Sequence, residues 1–255
     1  MKKSIRQEEN LNHWEKQAGQ FKSHAVSWWD INMKRIEINN ITPFLSKNDF
    51  ILDIGCSNGA STFEINKRVG CRIHGIDYSP KAIDEANRNR KKNVTFEVGD
   101  IVEYKSRIKY DKALTIRCLI NIMSKTGQQE ALINIYELLK DKGIFIMAEA
   151  FSGGLKNLNK ARNLFKLKPL PMPVFNNYFD EGDFEKFITK YFNIVEIKKY
   201  ASLYYLGTRL FQYLALDEDP NKKDTPLHRF FAKYGYETKK SGDFSPQKIY
   251  VLQKK

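Results

Sequence analysis

The sequence predicts an α/β fold, a mostly parallel seven-stranded sheet with helices on both faces. Short apolar runs alternate with amphipathic, helix-length stretches in units of roughly 30 residues, the rhythm of parallel strands joined by helical crossovers. The early apolar runs end in Asp or Gly, as strands do when they feed a turn at the sheet's ligand-binding edge. A hydrophobic content of 42% in 255 residues supplies a full core.

Residues 1–49 read as a helical N-terminal segment, with Trp14, Phe21, Trp28 and Trp29 as packing residues and Arg35 and Trp28 placed to close over a ligand. Residues 50–150 form the ligand-binding core. Phe50–Ile54 is its first strand, followed by a helix over Ser61–Val69. Cys71–Asp77 is the second strand, and Ser79-Pro80 caps a helix running to about Arg90, with proline at its first position. Val94–Val98 and Lys112–Ile116 are the third and fourth strands. Gly127–Lys140 is amphipathic through Ala131, Ile135 and Leu138, and the turn Asp141-Lys142-Gly143 leads into a fifth strand, Ile144–Ala148. Residues 151–255 hold the last strands, Asn193–Lys198 and Lys248–Gln253, a helix at Asp183–Lys190, and two insertions at about 151–182 and 200–246. The first reads as irregular and carries Pro169, Pro171 and Pro173; the second is dense in aromatics. Long connections at this edge of a sheet are commonly functional lids, so both read as a substrate cap.

Composition narrows the class. No apolar segment follows the basic start Met1-Lys2-Lys3, and no run approaches a membrane-spanning length, so a soluble cytoplasmic protein is expected. Cys56, Cys71 and Cys118 are isolated and lack C-x-x-C spacing, which argues against a zinc site and for a reducing compartment. No acidic cluster suggests another metal. The formal charge of +13 suits an anionic partner, but the basic residues are scattered, which fits a solvated surface better than a nucleic-acid track.

The stretch Asp53-Ile54-Gly55-Cys56-Ser57-Asn58-Gly59-Ala60 admits three chemistries. Gly-x-Ser-x-Gly is the pattern of a hydrolase nucleophile elbow, with Asp180 and His228 in the right chain order. No strand precedes Phe50 to carry an oxyanion loop, however, and His228 sits in a charged stretch that reads as surface. A dinucleotide turn needs glycine where Ser57 stands. The third chemistry is a loop for S-adenosylmethionine. Strand-end logic selects Gly55–Gly59, Asp77, Asp100, Arg117 and Glu149 as site candidates.

The ordered runs ILDIGCSNGAST, IHGIDYSPKAIDEA, VTFEVGDI, YDKALTIRCLINI and ELLKDKGIFIMAEAF resemble the motifs of class I S-adenosylmethionine-dependent methyltransferases over about residues 50–150. That resemblance implies a Rossmann-like core and S-adenosyl-L-methionine as cofactor. It implies that Asp53 orients the loop and the methionine amino group. Gly55, Cys56, Ser57 and Gly59 would face the cofactor through their backbone, with Ser57 replacing the usual glycine. Asp77 would take the ribose hydroxyls, with Tyr78 beside the adenine. Asp100 would bind the adenine amine, Ile101 the ring, and Ile116 and Arg117 the methionine side.

The Asn/Asp-Pro-Pro-Tyr signature of amino-methylating nucleic-acid enzymes is absent after strand four, where Thr115-Ile116-Arg117-Cys118-Leu119 stands. The expected substrate is therefore a small polar, anionic molecule methylated on O or N. Tyr178, Tyr204, Tyr205, Arg209 and Lys248 are its expected ligands, hydroxyls beside cations being suited to such a group. NNYFDE, YYLGTR and GDFSPQKIYVL resemble methyltransferases of bacterial capsule and surface-polysaccharide biosynthesis, which implies a sugar or phosphoramidate, nucleotide-linked precursor. The rival expectation is an RNA-binding methyltransferase, or a non-catalytic nucleic-acid-binding protein of the same fold.

Overall fold

The computed structural model describes residues 9, 12–16, 30–89, 91–215, 224–237 and 242–255. Phe21, Trp28 and Trp29 lie outside them.

Seven strands form one sheet: β1 (Phe50–Ile54), β2 (Arg72–Asp77), β3 (Val94–Val98), β4 (Tyr110–Ile116), β5 (Leu139–Ala150), β6 (Phe192–Lys199) and β7 (Gln247–Lys254), in the order β3-β2-β1-β4-β5-β7-β6. The pairs β1–β2, β1–β4, β2–β3 and β4–β5 are parallel, and β7 runs antiparallel to both β5 and β6. The order reverses direction between β1 and β4, so the loops after these strands diverge and leave a crevice at their carboxyl ends.

Strand alternation buries both faces. Leu52, Phe145 and Met147 point into one core with Leu132, Ile135 and Leu138 of α4 (Lys125–Leu138). Ile51, Ile73, Leu114 and Ile146 point into the other with Met33, Ile36 and Ile41 of α1 (Ile31–Ile41). Each fully buried Leu or Ile contributes roughly 1.5–3 kcal/mol. The remaining core helices are α2 (Ala60–Val69) and α3 (Pro80–Arg88), the latter capped by the Ser79 hydroxyl, which accepts from Ala82 N–H at 3.2 Å.

The expected turn at 141–143 falls inside β5. The ladder to β4 jumps from Tyr110↔Leu139 to Lys112↔Ile144, and Lys142 takes a left-handed φ of 59°, so the strand bulges there.

The segment 151–182 is not simply irregular. Ser152–Leu164 is a 13-residue helix, α5, and Glu181–Ile188 is α6. Gly154 lets α5 approach β7, because a Cβ there would sit 1.9 Å from the Ser245 carbonyl oxygen. In the second insertion Ser202–Leu206, a π-turn at Gly207–Phe211 and Gln212–Ala215 run on as one helical rod, and Pro226–Glu237 forms a further helix. His228 is fully buried rather than on the surface; its Nδ1 lies 2.9 Å from the Thr225 hydroxyl. Among the described residues no helix is long and apolar enough to cross a membrane.

Candidate active site

A cavity of about 610 Å³ opens at the carboxyl ends of β1, β2 and β4. That lies within the roughly 300–1,000 Å³ typical of small-ligand sites. Gly55, Ser57, Asp77, Tyr78, Ile116 and Arg117 line one part of it; Tyr178, Tyr205 and Arg209 line another.

The turn after β1 is built for a close approach. Gly55 has φ +74°, and a Cβ on it would lie 2.5 Å from the Cys118 Sγ. Ser57 is also left-handed, at φ 52°, a region that costs an L-residue roughly 1–2 kcal/mol. Its N–H donates to Asp77 Oδ2 at 2.9 Å, while Ser79 N–H donates to Oδ1 at 2.9 Å. One carboxylate thus ties the turn after β1 to the turn after β2. Burial pushes the Asp77 carboxyl up to about 6; the two N–H bonds oppose that shift, and Glu15 and Asp100 add to it. A serine nucleophile would need its hydroxyl activated by a base. Here Ser57 serves through its backbone.

The turn after β4 is held from below. Glu149, wholly buried at the end of β5, accepts from the N–H groups of Cys118 (2.9 Å), Leu119 (3.0 Å) and Ile120 (3.3 Å). Burial lifts its carboxyl to about 7, against the pull of those donors. Glu149 therefore shapes the loop that carries Arg117, Cys118 and Asn121 to the cavity.

Other expected cofactor ligands stand behind this wall. The Asp53 carboxylate accepts from the Thr62 hydroxyl at 2.6 Å and does not line the cavity; burial lifts its pKa to about 6. Cys56 is buried against Gly75, and its thiol is pushed well up by burial. Gly59 starts α2 against Phe63 and Phe96. Asp100 accepts from Val102 N–H at 3.1 Å, and Ile101 is core; neither lines the cavity.

Two expected substrate ligands prove structural. Tyr204 is 1% exposed and donates its hydroxyl to Asp30 Oδ1 at 2.7 Å. Lys248 is buried off the cavity between Glu181 (2.6 Å) and Asp243 (3.0 Å), both of which hold it charged. Arg35 is exposed in a separate surface depression beside Arg229 and Lys233.

Sequence reasoning missed the partners of the cavity's arginines. Arg117 pairs with Glu37 at 3.3 Å, and Arg209 with Asp30 at 3.3 Å; both carboxylates are 1% exposed. Tyr200 also donates to Glu37, and burial raises the Glu37 carboxyl against the pull of Arg117. Lys34 is buried nearby and lowered to about 8 by burial and by Arg117. The stretch 12–16 is helical as expected, but its place at the cavity was not: His13 and Trp14 line the cavity, His13 stacks on Phe175 at 4.3 Å, and Glu15 accepts from the Ser79 hydroxyl and pairs with Lys81 at 3.4 Å. A lone His-Trp-Glu run in a helical tail carries no sequence signal for such a role.

Residues 45–168 match a protein-family model described as a methyltransferase domain. The carboxy-S-adenosyl-L-methionine synthase of Nautilia profundicola is 30% identical over 142 residues, 54% of this chain and 59% of that protein. The chain spans about half the length of the curated relatives it matches. Among solved structures, the magnesium protoporphyrin IX methyltransferase ChlM of Synechocystis with bound S-adenosylhomocysteine is 14% identical, with a TM-score of 0.59 over 97% of this chain and 95% of that one. The N-methyltransferase NodS of Bradyrhizobium japonicum, also with S-adenosylhomocysteine, is 12% identical, with a TM-score of 0.59 over 96% and 97%. At such identities the likeness is one of fold. Gly55, Ser57 and Asp77, lining the cavity at the turns after β1 and β2, fit a nucleoside-bearing ligand. Over residues 45–168 the chain is similar to methyltransferase domains, and its fold is that of the S-adenosylhomocysteine-bound methyltransferases above.

Proposed function

We propose that this chain transfers a methyl group from S-adenosylmethionine to O or N of a small molecule held in the same cavity. The observation that carries this reading is the joining of two walls in one cavity: the Gly55–Ser57–Asp77 turn on one side, and residues of both insertions on the other. Bound cofactor supplies an electrophilic methyl on a sulfonium, and the protein's part is alignment and exclusion of water. Asp77 would accept the ribose hydroxyls, Gly55 and Ser57 would present backbone to the methionine side, and Tyr78 would flank the adenine. Helical residues 12–16, bridging Ser79 to Phe175, would cover the junction.

An acceptor that arrives protonated needs a base. His13 lines the cavity, and burial with Lys16 nearby lowers its pKa, so it stands neutral at pH 7 and able to take a proton. Tyr178, pushed up to about 12 by burial, would stay protonated and donate.

Asn176, Tyr178, Tyr205 and Arg209, which belong to the motifs quoted for a capsule or surface-polysaccharide substrate, line the cavity and keep such a substrate as a second reading. Calorimetry with S-adenosylhomocysteine tests the cofactor half; no binding at high micromolar concentration ends this reading. Incubation with isotopically labelled cofactor and cell extract, read by mass, tests transfer: one added methylene on an acceptor supports it. A carboxylated cofactor would instead place the chain with the activity named for its curated relatives.

A further inference from the structure

We propose that the acceptor is a flat, predominantly apolar small molecule, an aromatic ring system bearing the heteroatom that takes the methyl, rather than a phosphorylated sugar. This deepens the reading of the cavity as a methyltransferase site and rests on it.

The first observation is the wall. Leu155, Leu170, Val174 and Phe175 from the first insertion and Tyr205 and Tyr213 from the second line the part of the cavity that the cofactor turns do not. Rings contributed by two separate segments favour a planar guest, which stacks on their faces and edges. Of the polar residues there, Asn121 and Asn176 bond to each other at 2.8 Å.

The second observation is charge. Among the described residues lining the cavity the formal charges are Asp77, Arg117 and Arg209. Asp77 belongs to the cofactor turns, and each arginine already faces its own buried carboxylate, Glu37 or Asp30. Arg162, buried beside Tyr213 with its guanidinium carbon 4.5 Å from the ring centroid, directs its donors to the carbonyls of Lys168 and Arg209. A phosphorylated acceptor would have to compete with carboxylates for these cations. An uncharged aromatic one would not.

The third observation is the rim. Val174 lines the cavity and is 74% exposed, so an apolar side chain stands at its mouth. An exposed apolar side chain at a cavity's mouth suits an apolar ligand.

The test uses N-phenyl-1-naphthylamine, an uncharged dye that brightens in apolar surroundings, titrated into the full chain saturated with S-adenosylhomocysteine. The expected result is saturable one-to-one binding, weakened about tenfold by Leu155→Asp and several-fold by Val174→Asp, with cofactor-product affinity unchanged. Val174 is mostly exposed, so that variant leaves the fold intact even where Leu155→Asp does not. Dye binding that neither variant weakens, or no saturable binding, overturns the proposal. Saturable binding of uridine diphosphate in place of the dye overturns it in favour of a charged precursor. If S-adenosylhomocysteine itself does not bind, the methyltransferase reading has failed, a result distinct from a chain that binds the product but not the dye.

Discussion

Replacing Asp77 with alanine tests the cofactor half of the site most directly. Its two carboxylate oxygens already receive the N–H groups of Ser57 and Ser79, and it faces the cavity at the end of β2. A hydrogen bond to a charged group contributes about 1.5–3 kcal/mol. Two ribose hydroxyls on this carboxylate, less the relief of uncovering a buried charge, leave a net loss of about 2–4 kcal/mol in Asp77→Ala. That is roughly a 30-fold to nearly 1,000-fold rise in the Kd for S-adenosylhomocysteine. Asp77→Asn retains one acceptor oxygen and should fall between. With the carboxyl lifted to about 6, wild-type affinity should also weaken as pH falls below that value, and Asp77→Ala should flatten this dependence. Calorimetry from pH 5 to 8 reads both effects. Affinity within about threefold of wild type in Asp77→Ala would refute the assignment of the ribose to β2.

Ser57→Gly should keep cofactor affinity and shift stability by less than about 1 kcal/mol, since relief of the left-handed φ is offset by greater freedom of the unfolded chain. Ser57→Pro, which lacks the N–H that Asp77 accepts, should abolish binding, and a tenfold loss in Ser57→Gly would return a role to the hydroxyl. Asp53, Asp77 and Glu149 have carboxyls lifted to about 6, 6 and 7, above their unfolded values near 4. Their contribution is fully present below pH 4 and is lost as pH rises through 6 to 7. The ligand-free protein should therefore gain stability, by a few kcal/mol, on acidification from pH 7.5 to 5; urea unfolding that shows a loss over this window would contradict the burial of these groups. Lys248→Ala strands Glu181 and Asp243 and should cost about 3–5 kcal/mol while leaving S-adenosylhomocysteine affinity unchanged. A variant of normal stability with weakened ligand binding would restore Lys248 to the site.

The legible parts of this protein are those whose physics is local. Phe50–Ile54 and Val94–Val98 are strands within the bounds their apolar runs set, because a run between a turn and an acid has little else to become. Asp77 and Gly55 were readable for the same reason, as a strand end and a turn that need those residue types. Helix α5 was not, since Gly153-Gly154 and a string of Asn and Lys lower its helix propensity, and its packing on Ser245 is nearly a hundred positions away. On the acceptor side Tyr178, Tyr205 and Arg209 line the cavity, whereas Tyr204 and Lys248 are held away from it by partners far along the chain: Asp30 for the first, Glu181 and Asp243 for the second, and Asp30 also pairs with Arg209. Helix α1 and its cap carry the balance, with Asp30, Lys34 and Glu37 buried among Met33, Ile36 and Ile41. From the sequence these charges look like the polar face of a surface helix. In the fold Asp30 and Glu37 neutralise the two arginines that border the cavity. The +13 of the chain is thus no guide to what the cavity accepts, because the charges that reach it are balanced there before a substrate arrives.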